Sequence, residues 1–515
     1  MAWVGLCVDY FPSPRQVSNP QTHRFHGCRG RRDTRDSQSL WPRGKVLGGS
    51  SVLNLMVHAR GHSRDYDRWA NQFGCDGWSW NEVLPYFKKL ERVHLDTDAL
   101  NRGHSGPIHV SLAPSSKLGQ ALVEAAQKMG FKFDHDYNSG RPLGVTHTQL
   151  SIGDCVRQST FESYLKPALQ RPNLHVLTDS FVSKVLFDDS KTATGVEFIT
   201  SGQTNRVSVG REVMVSAGTV NSPKLLMLSG IGPKKHLEEL KVMTADSPWV
   251  GQRLTDHMVV NLLFSTGSRS AVVDKRNPAK HLFSSLWHYL TKGQGAWCSA
   301  GPEKFIHMSS GVGSELDLQL CFSPTDHLPG YFANLKDDVA TAQTANLPDN
   351  HYPFSVSAAL YQAKSEGEIR LNSSHPLDPP LIDPRFLSQQ QDVNVLVKGL
   401  KTAHAWATWH TLSEFDVRLS EGTVPSCQKH QVMSDAWLEC LVRTRATTVY
   451  HHTCTCAMGP GGIENAVVDT KLRVNGVKGL RIVDASVFPA TVSANTNVPV
   501  IMVAEKTADL IRQNL

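Results

Sequence analysis

Two short stretches concentrate the residue types that could do chemistry. Tyr450-His451-His452-Thr453-Cys454-Thr455-Cys456 places two imidazoles and two thiols within one turn of chain. Histidine suits general-base work because its ordinary pKa lies near operating pH, and such help is typically worth about 10²- to 10⁴-fold. The same cluster invites a metal reading. Zinc sites, however, usually space their ligands as CxxC or HxxxH so that the chain can wrap a tetrahedron, and HHxCxC fits that poorly. No metal is expected. The second stretch, WPRGKVLGGSSVLN at 41–54, is rich in glycine and hydroxyls, with Arg43 and Lys45 at its start and Asn54 at its end. It has the look of a phosphate cradle, yet it follows neither GxGxxG nor GxxxxGK[ST].

The elements that must position these stretches are α/β in character. In REVMVSAGTVNSPKLLMLSGIGP (211–233), Val213 to Ser216 predicts a short buried strand. Gly218 then makes a tight turn, and Ser222-Pro223 opens a helix that Gly230 closes. A strand feeding a helix through glycine presents backbone N–H groups to a ligand. Near the C-terminus, Leu480 to Val483 predicts a strand ending at Asp484. Val500, Val503, Ala504, Thr507, Ala508 and Ile511 then recur at helical spacing. Pro499 suits the first position of that helix, which places Asn497 just before it. Between these units, 173–200 predicts strands of an antiparallel meander. Residues 260–440 mix helix-like and strand-like runs, as an α+β unit does. The one GxGxx segment, GQGAWC at 293–298, follows a helix-like run and reads as a turn.

At 515 residues, 40% hydrophobic and 19% charged, the chain can bury a sizeable core and favours two or more units. Its longest apolar runs, such as Val498 to Ala504, fall far short of the roughly 18 to 20 residues that span a bilayer. Of the net charge of +6, about half comes from arginines before residue 37, among aspartates and prolines and without an amphipathic period. Nucleic-acid binding is not expected. The start MAWVGLCVDYFPSP does not read as a secretory signal, so a mitochondrial or secreted location would need a targeting segment at the true N-terminus. Ten irregularly spaced cysteines are too sparse for a disulfide scaffold.

WPRGKVLGGSSVLNLMVHARGHSRDYDRW (41–69) resembles the first signature of the glucose-methanol-choline family of flavin oxidoreductases, and AGTVNSPKLLMLSGIGP (217–233) resembles the second. The likeness continues through VGQRLTDH (250–257), EGEIRLNSSHPLDPPLIDPRF (366–386) and YHHTCTCAMG (450–459) to the terminal helix. It implies a Rossmann-like FAD-binding domain of the glutathione reductase type, interleaved with an α+β substrate domain built on an antiparallel sheet. The expected division is 1–260 for FAD binding, 261–444 for substrate, and 445–515 returning to the FAD domain with the catalytic residues.

The resemblance implies that Arg43, Gly44, Leu47, Gly48, Gly49, Ser51, Asn54, Leu55, Met56 and Val57 hold the flavin and its pyrophosphate. Ser50 and Ser51 would offer hydroxyl donors and Asn54 would bond the flavin edge. Val182 would contact adenine, Asp484 and Ala485 the ribityl and pyrophosphate, and Val498 and Pro499 the flavin end. Leu53 stands where some relatives carry a flavin-linked histidine, so FAD is expected to be bound non-covalently. The implied reaction is oxidation of a small-molecule alcohol, choline-, sugar- or polyol-like, with His451 as base and Asn497 holding the substrate oxygen. The electron acceptor (oxygen, quinone or another carrier) and the oligomeric state stay open.

Two departures from the family pattern stand out. Cys454 replaces a glycine, and Met1 to Gln38 lack the strand-GxGxxG-helix unit that grips the ADP half of FAD. An ADP-binding unit is therefore expected to be missing, which keeps two alternatives alive: a non-catalytic truncated member, and hydroxynitrile lyase-like activity on the same fold.

Overall fold

The computed structural model describes residues 2–4, 23–29, 38–95, 101–268, 298, 301–313, 316–324, 350–420, 425–462 and 466–513. The aromatic residues Trp287, Tyr289, Trp297, Tyr331 and Phe332, most of the GQGAWC segment and most of the basic N-terminal stretch lie outside them.

A parallel sheet of Ala2–Val4, Val213–Val215 and Leu480–Ile482 joins chain segments far apart in sequence. Val213, Val215, Leu480 and Ile482 are buried, as apolar strands covered on both faces must be. The helix that follows runs Gly218–Leu228, starting four residues before the expected Ser222. Its interior Pro223 has no N–H to give the Thr219 carbonyl one turn back. The Thr455 hydroxyl supplies that bond instead, at 2.6 Å. A tertiary contact thus permits a proline the local rule forbids. The meander expected at 173–200 forms from Phe181–Phe187, Ala193–Thr200 and Gln203–Ser208.

The second unit is a seven-stranded sheet. Arg418–Leu419, Met258–Thr266, Tyr352–Leu360, Leu318–Ser323, Lys304–Met308 and Gly144–His147 lie in that order, and Thr447–Thr448 also pairs with Met258–Thr266. The strand Met258–Thr266 runs across the expected boundary at 260, and Gly144–His147 enters from within the first segment. One sheet face is apolar (Val260, Ala358, Leu320 and Ile306) and packs on the helices Lys117–Lys128, Gln390–Ala407 and Asp435–Arg445. Gly399 lets the middle helix press close, since a Cβ there would lie 2.8 Å from Leu318 Cδ1 and 2.9 Å from Ala358 Cβ.

The terminal helix spans Asn497–Arg512, so Asn497 is its first residue and Pro499 its third. Among the described residues no helix is long and apolar enough to cross a membrane. Among the described residues two disulfides occur, Cys155–Cys298 and Cys427–Cys440. The first joins residues 143 apart in the chain and the second residues 13 apart, with Cα atoms 4.6 and 5.7 Å apart.

Candidate active site

His451 lies on a chain segment held from both sides. Thr255 and Thr453 bridge in antiparallel fashion, while the Cys454 and Cys456 N–H groups donate to the carbonyls of Ala485 and Ser486. Two residues that flank the histidines adopt left-handed backbone, Tyr450 at φ 65° and Cys454 at φ 75°. At Cys454 a side chain therefore occupies a conformation that glycine adopts without cost.

The His451 ring makes two polar contacts. Its Nδ1 is 3.0 Å from Nδ1 of His257, and its Nε2 is 3.3 Å from the amide nitrogen of Asn495. These contacts decide the tautomer. An amide N–H only donates, so Nε2 must carry the lone pair and the ring proton sits on Nδ1, donating to His257. His257 then carries its own proton on Nε2, with the backbone of Val492 and Tyr361 close to the ring. Burial, His257 and Arg43 together hold His451 well below the ordinary histidine range, and burial pulls His257 to about 3. Both rings are neutral, and His451 presents a bare Nε2.

Asp256 ties the two histidines together. Its Oδ1 accepts the backbone N–H of His257 at 2.8 Å and of His451 at 2.9 Å, and its Oδ2 accepts the Thr448 hydroxyl. Burial pushes this carboxyl up to about 7, against those hydrogen bonds and the Arg43 charge. His452, in the slot where the resemblance expects proline, packs against Trp41 with ring centroids 3.6 Å apart and planes tilted by 39°, and brings Nε2 within 3.2 Å of Asp256 Oδ2. Arg43 reaches the Tyr450 carbonyl at 3.4 Å. The glycine-rich stretch and the histidine segment thus form one site.

The amide facing His451 belongs to Asn495, not Asn497. In SANTN the resemblance puts the role on Asn497, but the chain turns into the terminal helix at Thr496, so residues two apart point in different directions. His257, Asn495 and Asp256 were not assigned roles by the sequence; LTDH lies within the resemblance, but only its contact with His451, 194 residues away, marks it.

In the 44–57 loop, Gly48 (φ 93°) and Gly49 (φ 56°) take left-handed backbone, and a Cβ on Gly49 would meet nothing within 4 Å. The Ser51 hydroxyl is used inside the loop, donating to the Gly48 carbonyl at 2.6 Å and accepting from the Thr160 N–H at 3.0 Å. Ser50 likewise accepts the Gly44 N–H at 3.2 Å. Both serines shape the loop where ligand donation was expected. The Asn54 carbonyl oxygen accepts from the Met56 N–H and from Arg157, which leaves its amide N–H₂ as the group to offer a ligand. Leu53 and Leu55 beside it are 39% exposed, and Val57 is buried behind. Leu47 and Met56 are half-buried.

Asp484 staples the two strand-helix units. Its Oδ2 accepts the Gly218 N–H at 2.9 Å and the Ser222 hydroxyl at 2.5 Å, and its Oδ1 takes the N–H and hydroxyl of Ser486. Four donors fill the carboxylate, so its work is to fix the turn at Gly218 and Ala485. A Cβ on Gly218 would also meet open space. Val182 lies on a strand beside the middle of that helix, where Lys224 sits 5.8 Å from the Phe181 ring. Val498 and Pro499 are buried at the start of the terminal helix. Open space at Gly49 and Gly218, the Arg43 cation, exposed Leu53 and Leu55 and the free Asn54 amide fit a long flavin dinucleotide with an apolar ring and an anionic middle. Among the described residues no group of His, Cys, Asp or Glu is placed to hold a metal.

A neutral imidazole with an unprotonated nitrogen thus pairs with an amide donor and is linked to the glycine-rich loop through Arg43. The chain belongs to the GMC oxidoreductase family, whose N-terminal model matches residues 25–259 and whose C-terminal model matches 363–504. It is 36% identical to mitochondrial choline dehydrogenase of Mus musculus over 485 residues, 93% of this chain and 77% of that protein. It is 35% identical to glucose dehydrogenase (FAD, quinone) of Drosophila melanogaster, over 93% of this chain and 75% of that protein. Among solved structures it is similar to formate oxidase of Aspergillus oryzae, with a TM-score of 0.83 and 25% identity over 96% of this chain and 89% of that one.

Proposed function

We propose that this chain oxidises the CH–OH group of an alcohol, with FAD bound non-covalently as its cofactor. When bound, FAD supplies the acceptor for the carbinol hydride. His451 takes the hydroxyl proton at Nε2, and the Asn495 N–H₂ group holds the oxygen on which charge develops. Asp256 and His257 keep the imidazole in the tautomer that leaves Nε2 bare. The observation that carries the reading is the Asn495 contact, since an amide donor at Nε2 means a ring ready to accept a proton there. The Leu53 side chain offers no nucleophile for a covalent flavin bond.

Anaerobic mixing of purified, flavin-loaded protein with a panel of alcohols tests the proposal: the flavin absorbance should bleach. Release of aldehyde from a hydroxynitrile without bleaching would point to a lyase instead. The His451→Ala variant should retain its flavin and lose at least ~100-fold in turnover, and unchanged turnover would remove His451 from the role of base. The two disulfides favour an oxidising compartment, so a secreted location is the better supported of the two expected. Non-reducing peptide mapping of native protein should recover both cross-links.

A further inference from the structure

Asn495 meets His451 at the end of a short segment, residues 490–495, that lies against one face of the helix Ser63–Asn71. Residues three and four apart in a helix share a face, so Asp65, Arg68 and Trp69 point to the same side. Each of them grips the segment. Trp69 Nε1 donates to the Ala490 carbonyl at 2.9 Å, Arg68 donates to the Thr491 carbonyl at 3.4 Å, and Asp65 Oδ2 accepts the Ser493 N–H at 2.7 Å. The rung nearest Asn495 is the shortest. Gly61, at φ 91°, leaves room for this approach, since a Cβ there would lie 3.3 Å from Ala494 Cβ and 3.4 Å from Asp65 Oδ2.

Gln362 closes the arrangement. Its amide nitrogen donates to Asp65 Oδ1 at 3.1 Å and to the Ser493 hydroxyl at 2.8 Å, and its carbonyl oxygen accepts from Arg68 at 2.8 Å. The Ser493 hydroxyl accepts from Gln362, and its one proton is left for Asp65 Oδ1 or the Leu316 carbonyl, each 3.2 Å away. On its other side the segment meets the histidine stretch, where the Thr491 and Thr453 hydroxyls are 2.7 Å apart. Residues 490–495 are thus held between the helix that carries Asp65 and the stretch that carries His451.

Helix capping alone does not account for Asp65. It accepts the His62 N–H as the third residue of a capping box does, but at 3.3 Å, so the Ser493 bond is the shorter of the two. The helix Trp80–Leu90 has the same kind of box with an exposed carboxylate, Glu82 on Ser79. Asp65 instead is 6% exposed, and burial raises its carboxyl to about 6 against the Ser493 and His62 bonds and the Arg68 charge. A buried carboxylate costs stability that an exposed cap does not. What the burial secures is the place of Ser493, two residues before Asn495.

We propose that Asp65 is a positioning residue for the reaction: by holding the Ser493 N–H it sets the Asn495 amide against His451 Nε2 and the substrate oxygen. This rests on the alcohol-oxidising reading above. Asp65→Asn keeps the shape and removes one acceptor oxygen. In flavin-loaded protein it should cut kcat about 10- to 100-fold with KM within ~3-fold of wild type, because a misplaced donor weakens the transition state more than the bound substrate. The double variant decides the route. Added to Asn495→Ala, Asp65→Asn should cost less than ~2-fold further, because the amide it positions is gone. Losses that multiply in the double variant overturn the proposal, as does an unchanged kcat in the single one. Ser493→Ala removes only the hydroxyl between Gln362 and Asp65. It should show the same non-additivity at smaller size, so the test stands if Asp65→Asn does not fold.

Nitrogen-15 NMR of the His451 ring, assigned with His451→Ala, is independent of turnover. The Nε2 signal should move in Asp65→Asn in the direction that it moves in Asn495→Ala, and a signal at the wild-type position overturns the positioning role. If no alcohol bleaches the flavin, the alcohol-oxidising reading falls by itself, and the ring signal still decides the part played by Asp65.

Discussion

Two buried polar systems lie close behind the flavin-side loop, and they are finished to different degrees. Around Glu91, every oxygen is supplied: Oε1 takes Arg60 at 2.5 Å, Arg102 at 2.8 Å and the Gly103 N–H at 2.8 Å, while Oε2 faces His58 at 3.0 Å. Burial works to raise this carboxyl, yet the two guanidinium groups and His58 hold it well below the carboxylate range. Around His451, by contrast, Asn495 Oδ1 is buried and unpaired. Arg60 Nε and Asp136 Oδ2 stay unpaired at the edge of the Glu91 network, whose opposite charges meet one another; the groups at His451 face neutral partners.

Substitutions can break that contrast. The largest effect belongs to Glu91→Ala, which strands two buried arginines and should cost about 3–5 kcal/mol of stability, read by chemical denaturation. A loss below ~1 kcal/mol would show that this network is not what anchors the loop. Next comes Asn495→Ala, expected to leave stability near wild type and cut kcat about 10²- to 10³-fold, with Asn497→Ala far less harmful. Equal losses at the two asparagines would return the assignment to its sequence-based form.

A smaller effect is expected at Cys454. Two variants delete its thiol, and Cys454→Gly should be more stable than Cys454→Ala by about 1 kcal/mol, because only glycine escapes the left-handed strain. The smallest is a pH slope. Burial raises Asp256 from 3.8 to about 7, so the folded chain binds its proton more tightly than the unfolded chain does. That contribution to stability is fully present below about 3.8 and is lost as pH rises through about 7. His257, pulled down to about 3 from 6.5, acts in the opposite sense, its penalty growing as pH falls below 6.5. Melting curves of Asp256→Asn from pH 4 to 7 should therefore rise with pH more steeply than those of wild type, since only the histidine term remains.

Much of the site was legible where chemistry is local. Gly48 and Gly49 announce left-handed backbone, His451 announces a base, and Cys454 in a glycine slot is found in the strained conformation that the departure implies. The paired strand-helix units at 213 and 480 follow from short apolar runs ended by Gly218 and Asp484. Less legible was anything set by distant contacts. The helix at Gly218 starts early because Thr455 serves a carbonyl that Pro223 cannot, and no reading of 211–233 contains Thr455. The resemblance makes Ser51 a ligand donor, yet its hydroxyl donates to the Gly48 carbonyl and accepts the N–H of Thr160, 109 residues on.

The sequence by itself determined which groups are available: a neutral-range base, a glycine loop without a Walker or dinucleotide pattern, and the motifs that place the chain in its family. Only the tertiary structure decided which of them face one another. It chose Asn495 over its neighbour two residues on and set His257 against His451. The physical reason is that propensity and spacing act over a few residues, whereas a tautomer, a pKa or an orphaned donor is fixed by partners the chain brings back from a hundred residues or more away.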